Sequence, residues 1–409
     1  MSGIKGKYRY VLFMPSFYAL VTFPIFHILY LLNVFPYEEK NIEAQIICFT
    51  ATIFFLSSFL WNYSNYKKMV HQTETQRQQI FSNISYIIKF LLIVFLLIGI
   101  LGCIKYIIDF STYFGGYWIF FLLLVEDSAQ IRIAQQFATS IGFQVTYFSW
   151  IAGSILFAEA ALKNISRWYI LIFILVLLLN ILFIDRTRPI TLIFTTLLFL
   201  FFIIQSKLSS KILQKAFVIT LVSLFAVYIA LGEWIGKVSR EDQYGKTIVP
   251  PMFQTAFLYG TSSFGYFNRI VNNNESGNYI PERSLYPFFK ISSAFKLTSE
   301  PPEQINEFYY IPQDVNIGTF LEPLYRDGGW VFCLLGIILH SFLFDLLGLY
   351  FIKNSNRFAL YALTILCFCN FFAFFSPKFN NIPIWLFISI GFLEMLYIKV
   401  SPPLVKELK

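Results

Sequence analysis

The hydrophobic residues of this chain come in long runs separated by polar joints. A helix needs roughly 20 apolar residues to cross the hydrocarbon core of a membrane. Runs that meet or approach this length lie at 11–34, 42–62, 85–108, 141–161, 168–184, 189–206, 212–232, 330–352, 358–376 and 382–399. The run 168–184 is short and ends at the polar cluster Asp185-Arg186-Thr187-Arg188-Pro189. A further apolar piece, Tyr117–Val125, has nine residues before Glu126-Asp127, too few to span, and reads as interfacial or re-entrant. The pattern predicts an all-α polytopic membrane protein of about ten transmembrane helices.

The polar joints set the orientation, because cytoplasmic loops carry an excess of Lys and Arg. With the N-terminus in the cytoplasm, sixteen basic residues face inward, among them Lys5, Lys7, Arg9, Lys67, Lys68, Lys207, Lys211, Lys353 and Arg357. The short outward joints hold only Lys40, Lys105, Arg132, Arg186, Arg188 and Lys378. Ten spans with both termini inside keep at least two basic residues in every inward connection. The same topology leaves one long extracytoplasmic segment. The expected organisation is therefore a membrane bundle of about seven helices at 1–232, a large loop at 233–326, and about three helices at 327–409. The loop is rich in Pro, Asn, Ser, Glu and Gly yet dense in aromatics, as in Phe264-Gly265-Tyr266-Phe267 and Tyr286-Pro287-Phe288-Phe289. A disordered linker would have few aromatics, so the loop is expected to fold onto the membrane with short amphipathic helices at the interface.

Composition agrees. Apolar residues make up 57% of the chain and charged residues 13%, about half the charged share of a soluble domain. The net charge of +8 is explained by the inward joints and calls for no nucleic-acid partner. The five cysteines, Cys48, Cys103, Cys333, Cys367 and Cys369, lie in apolar runs and form neither a disulfide framework nor a metal-ligand spacing. The first run is too long for a signal-peptide core and has no small-residue cleavage site, so it reads as a membrane helix.

Candidate chemistry lies on the outward side. Arg186 and Arg188 precede a helix that begins at Pro189; they read either as interface-capping side chains or as a compact phosphate clamp, since arginine binds phosphate bidentately. In the loop, Arg269 and Arg283 stand among aromatics such as Tyr266 and Tyr286, a mixture suited to sugar rings. The outward acidic candidates are Asp185, Glu275, Glu282, Asp314, Glu322 and Asp327, any of which could serve as a general base if held within hydrogen-bond reach. His27, His71 and His340 all lie off the outer loop, which argues against histidine-based catalysis or a histidine-bound metal there. No GxxxxGK[ST] or GxGxxG is present, so nucleotide-driven chemistry has no support. Charged residues within spans are few, Glu159, Asp345 and Glu394 standing towards helix ends or cytoplasmic halves, which lowers a proton-coupled transporter reading.

Three stretches stand out together: Asp185-Arg186-Thr187-Arg188-Pro189; Tyr259-Gly260 through Arg269 to Arg283; and Asn316-Ile317-Gly318-Thr319-Phe320-Leu321-Glu322-Pro323-Leu324-Tyr325-Arg326-Asp327-Gly328-Gly329. In these stretches the chain resembles the Wzy-type O-antigen or capsule polymerases, which join oligosaccharide repeat units. Arg326-Asp327-Gly328-Gly329 departs from the aromatic usually found before the glycine.

The resemblance implies a membrane glycosyltransferase of the GT-C type in a bacterial inner membrane, working without metal or cofactor. Its substrates would be glycans on undecaprenyl pyrophosphate, with membrane lipid around it and a chain-length regulator and a flippase as companions. The acceptor's non-reducing hydroxyl would attack the donor's anomeric carbon, and arginines would stabilise the departing pyrophosphate. On this footing Arg188 and Arg269 are expected at the pyrophosphate and Arg283 at a second phosphate or glycan contact. Asp327 or Glu282 would be the base or orienting group. Arg186, Tyr266, Tyr286, Asn316, Tyr325 and Arg326 would contact substrate. Two alternatives remain open: a polysaccharide-lipid flippase or other transporter, and an O-antigen ligase, a family whose outer loop carries a histidine that this chain lacks.

Overall fold

A computed structural model describes residues 11–80, 86–113, 145–161, 165–181, 187–204, 215, 251–277, 279–302, 306–312, 314–354, 357–382, 384–386 and 388–389. The described chain is mostly helical. Its elements are α1 (Pro15–Leu31), α2 (Ile42–Ile80), α3 (Tyr86–Tyr113), α4 (Tyr147–Ala161), α5 (Trp168–Ile181), α6 (Thr187–Ile204), α7 (Pro251–Asn272), α8 (Tyr286–Ala294), β1 (Tyr309–Tyr310), β2 (Asp314–Val315), α9 (Leu321–Ile338), a π-helical turn at Leu339–Leu343, α10 (Phe344–Asn354) and α11 (Arg357–Phe371). Three helical stretches, Ile42–Met69, Lys89–Asp109 and Leu321–Lys353, are long and apolar enough to cross a membrane. Four shorter apolar helices, Pro15–Leu31, Trp168–Ile181, Arg188–Ile203 and Ala359–Phe371, coincide with further predicted runs. All of the run 212–232 but residue 215, the piece Tyr117–Val125 and most of 382–399 lie outside the described residues.

The chain divides into two compact units, one formed by Met1–Arg77 with Asp242–Lys409 and the other by Gln78–Glu241. Between apolar helices in lipid, apolar burial gives little driving force, so close packing and interhelical hydrogen bonds specify the neighbours. In the second unit, Gly99 of α3 lets the Ser149 backbone of α4 approach so closely that a Cβ there would overlap it. The Trp150 indole N–H donates to Asn180 Oδ1 across α4 and α5 at 2.7 Å, and the Thr196 hydroxyl to Ser154 Oγ across α6 and α4 at 2.8 Å.

The first unit is built round α1, α2, α7, α9, α10 and α11. At one end, Asp345 of α10 accepts the Ser16 amide at 3.0 Å, and the Ser16 and Ser58 hydroxyls at 2.7 Å each. Helix α1 starts at Pro15 with no side-chain cap of its own, so Asp345 satisfies its first free N–H from another helix. A carboxylate at a helix N-terminus is also favoured by the macrodipole. Towards the other end, Phe23 meets Phe264 at 5.1 Å and Phe320 at 5.7 Å between ring centroids.

Two features differ from the sequence reading. Helix α2 runs on to Ile80, well past the predicted end at 62, because Lys67-to-Ile80 is rich in Lys, Glu, Gln and Arg and free of Gly and Pro, a composition that sustains a helix. The expected loop also holds more than short amphipathic helices. Its longest helix, α7, spans 22 residues and has Leu258, Phe264, Tyr266, Phe267 and Ile270 buried in the core of the unit. Small residues at Gly260 and Gly265 bring it close: a Cβ at Gly265 would stand 2.5 Å from Ile311, and one at Gly260 would overlap the Phe26 ring.

Candidate functional site

Helix α9 is broken at Gly328 and Gly329, where the backbone leaves helical geometry; Gly329 has φ +56° and ψ −140°. A positive φ with such a ψ is comfortable only for glycine. The break frees the Asp327 carbonyl, which accepts the Tyr279 N–H at 2.9 Å. It also separates Leu321–Asp327 from the apolar stretch that starts at Trp330. The 33 residues of Leu321–Lys353 make about 50 Å of helix at 1.5 Å per residue, against a hydrocarbon core of about 30 Å. The predicted run 330–352 is long enough to cross by itself, without the turns before the break.

Those first turns carry three charged residues, Glu322, Arg326 and Asp327, of which the first two stand one helical turn apart. Arg326 lies between two carboxylates, its Nε 3.0 Å from Glu322 Oε1 and its Nη2 2.9 Å from Glu275 Oε2. Nη2 also donates to the Tyr266 hydroxyl at 3.2 Å. Glu275 Oε1 accepts the Tyr309 hydroxyl at 2.9 Å, and Tyr309 stacks at a tilt on Tyr266 with centroids 5.3 Å apart. Glu322 is buried. Its Oε1 accepts Asn306 Nδ2 at 3.2 Å. Burial pushes the Glu322 carboxyl up to about 7, against the opposing pull of Arg326, Arg283 and Asn306. Gly318 makes this possible, since a Cβ there would stand 2.5 Å from Glu322 Cβ and 3.3 Å from the Tyr266 ring.

Asp327 points the other way. Its carboxylate accepts the Arg283 amide at 3.1 Å, the Ser284 amide at 2.7 Å and the Ser284 hydroxyl at 2.6 Å. Burial raises its pKa, and these hydrogen bonds oppose the rise. With three donors on it, Asp327 shapes the turn that leads into α8. The Arg283 side chain reaches Asn306 Oδ1 at 3.1 Å, and its carbonyl accepts Asn380 Nδ2 at 3.2 Å. Asn306 thus touches both Arg283 and Glu322.

The other expected residues are placed as follows. Arg269, in the last turn of α7, pairs with Glu38 at 2.7 Å at the surface, its guanidinium 5.8 Å from the Tyr309 ring centre. Tyr325 is buried, its hydroxyl 3.3 Å from Glu43 Oε1 of α2. The Asn316 carbonyl accepts Asn306 Nδ2 at 3.4 Å. Glu282 is half-buried in the turn that Asp327 holds, and Tyr286 begins α8. In the second unit, Arg188 is buried, donating to Thr146 Oγ1 at 3.1 Å and to the Tyr147 hydroxyl at 3.3 Å, with its guanidinium over the Tyr147 and Trp150 rings. Arg186 lies outside the described residues.

Arg269, Arg283, Arg326, Asp327, Tyr266 and Tyr325 therefore gather at one end of the first unit. Glu322 and Glu275, only two among several acidic candidates in the sequence, are the carboxylates that engage Arg326. Asn306, Tyr309 and Ser284 carry no motif and were not singled out; only the chain reversal through β1 and β2 brings the first two in. Among the described residues no cluster of three or more His, Cys, Asp and Glu suits a metal ion. No family model, no curated protein and no solved structure matches the chain.

Proposed function

We propose that this chain is a multi-pass membrane glycosyltransferase that polymerises oligosaccharide repeat units carried on undecaprenyl pyrophosphate. In this reading it spans a bacterial inner membrane about ten times with both termini in the cytoplasm, and the Glu322–Arg326 end of the first unit faces outward. The observation that carries the reading is a convergence. Two of the stretches that resemble such polymerases, Tyr259–Arg283 and Asn316–Gly329, are far apart in sequence and meet in one network of guanidinium groups and carboxylates.

The acceptor hydroxyl gives its proton to Glu322 as its oxygen attacks the anomeric carbon of the donor. The bond from that carbon to the pyrophosphate oxygen breaks, and the leaving oxygen keeps the electron pair. A carboxyl lifted to about 7 matches the demand on a general base near neutral pH. Arg326 keeps Glu322 ionisable and oriented. Arg283, on a turn fixed by Asp327, meets the charge that builds on the pyrophosphate. Asp327 thus organises the turn and leaves the base role to Glu322. Tyr309, half-buried and packed on the buried Tyr266, offers an aromatic surface to a sugar ring.

Glycan profiling tests this. Arg283→Ala and Glu322→Gln are placed in a strain lacking the chain, with protein levels checked. Collapse of the long-chain ladder to a single repeat unit at normal protein level is expected for both. An undiminished ladder in both variants removes the network from the chemistry. Loss of even the single unit points to a ligase or a flippase.

A further inference from the structure

Helix α8 carries an outward apolar face that the glycosyl-transfer reading leaves unused. Phe288, Ile291 and, just past the helix, Phe295 recur at the i, i+3, i+7 spacing of one helix face, and they are 45%, 56% and 73% exposed. Leu297, beyond the end of the helix, is 76% exposed. Away from it, Lys290 pairs with Glu300, and Pro287 is buried. Contiguous exposed apolar surface marks a site that something covers.

The edges of the face indicate what covers it. Phe288 packs edge-on against Trp385, centroids 4.5 Å apart, in the last predicted span. Tyr279, itself 66% exposed, meets Phe332 of α9 at 6.2 Å. Phe332 belongs to a stretch long and apolar enough to cross a membrane, whose Val331 and Leu335 are 54% and 58% exposed. The apolar face of α8 thus meets a predicted span through Trp385, and the segment leading into α8 meets α9 through Tyr279. A short helix with apolar residues on one side and lysines beside it has the make-up of one lying in a membrane interface.

We propose that α8 and its extension to Leu297 form a lipid anchor, with Phe288, Ile291, Phe295 and Leu297 among the acyl chains and Lys290 and Lys296 at headgroup level. The lipid surface is the occupant. Because Asp327 ties Arg283 and Ser284 just ahead of α8, the anchor also sets the depth of that turn at the lipid headgroups.

The test places nitroxide spin labels at Ile291→Cys and Phe295→Cys in the full chain, with Glu300→Cys as the polar control, in nanodiscs of phosphatidylethanolamine and phosphatidylglycerol. The five native cysteines are buried, and the unsubstituted chain gives the labelling background. Power saturation should show labels at 291 and 295 relaxed more by oxygen than by a nickel chelate, and the label at 300 the reverse. Nickel predominance at 291 and 295 overturns the proposal in favour of water. Protection from both reagents overturns it in favour of protein cover, whether a second copy, a partner or another part of this chain. If Phe295→Cys does not fold, Leu297→Cys replaces it with the same expected sign.

Discussion

Replacing Asp327 with alanine should loosen the turn before α8 while leaving the helical bundle assembled. The carboxylate accepts three hydrogen bonds there, from the Arg283 amide, the Ser284 amide and the Ser284 hydroxyl. Bonds to a charged acceptor are worth about 1.5–3 kcal/mol each when buried. The turn is half-buried, so water can take over part of each bond, and about 1 kcal/mol apiece is the defensible figure. The total of about 3 kcal/mol corresponds to about a hundredfold in the local opening equilibrium. Amide hydrogen exchange followed by mass spectrometry reads this directly, since local opening free energies set protection. Peptides covering 279–290 should exchange about a hundredfold faster in Asp327→Ala, with peptides from α1 and α11 unchanged. Asp327→Asn keeps an oxygen acceptor and should fall between. Unchanged protection in Asp327→Ala would refute the assignment of Asp327 to shaping the turn. Lost polymer synthesis in Asp327→Asn with protection intact would return Asp327 to the role of base.

Three further outcomes follow from the same structure. The Glu322 carboxyl titrates at about 7 in the fold against an ordinary 4.5, so the native state holds a proton that the unfolded chain releases; stability should fall by up to about 3 kcal/mol as pH rises from about 4.5 to 7, and Glu322→Gln should flatten that slope in denaturant titrations. Gly260→Ala should push the Phe26 ring off its stack on Phe374, now 4.1 Å away at 5°, costing about 1–3 kcal/mol by overpacking and lowering the thermal midpoint in detergent; an unshifted midpoint would mean that α7 and α1 are not so close. Asp345→Ala should leave the Ser16 amide and the Ser16 and Ser58 hydroxyls without their acceptor, at about 1–3 kcal/mol for each group left unsatisfied. Folded yield by fluorescence-detected size exclusion should then drop sharply, with Asp345→Asn milder.

The sequence by itself determined that the chain is a helical protein with segments long and apolar enough to cross a membrane. Uninterrupted apolar runs can satisfy their backbone in lipid only as helices or closed barrels, and the length of each run marks its helix. It also drew attention to Arg326-Asp327-Gly328-Gly329 through a family resemblance, but the helix break at the two glycines appears only in the structure. It did not determine that α7 would be buried: Phe, Tyr, Gly, Thr and Ser in that segment suit an interfacial helix as well as a core one, and only Phe26, Tyr37 and Ile311 packed against its two glycines decide between them. Nor did it choose among the carboxylates. Glu322, Glu275, Glu282 and Asp327 are alike as letters; Glu322 acquires its raised pKa from burial beside Gly318 and Tyr266, and Asp327 its three donors from a turn some forty residues earlier. Such differences come from long-range contacts, and local pattern carries no record of which distant residues will supply them.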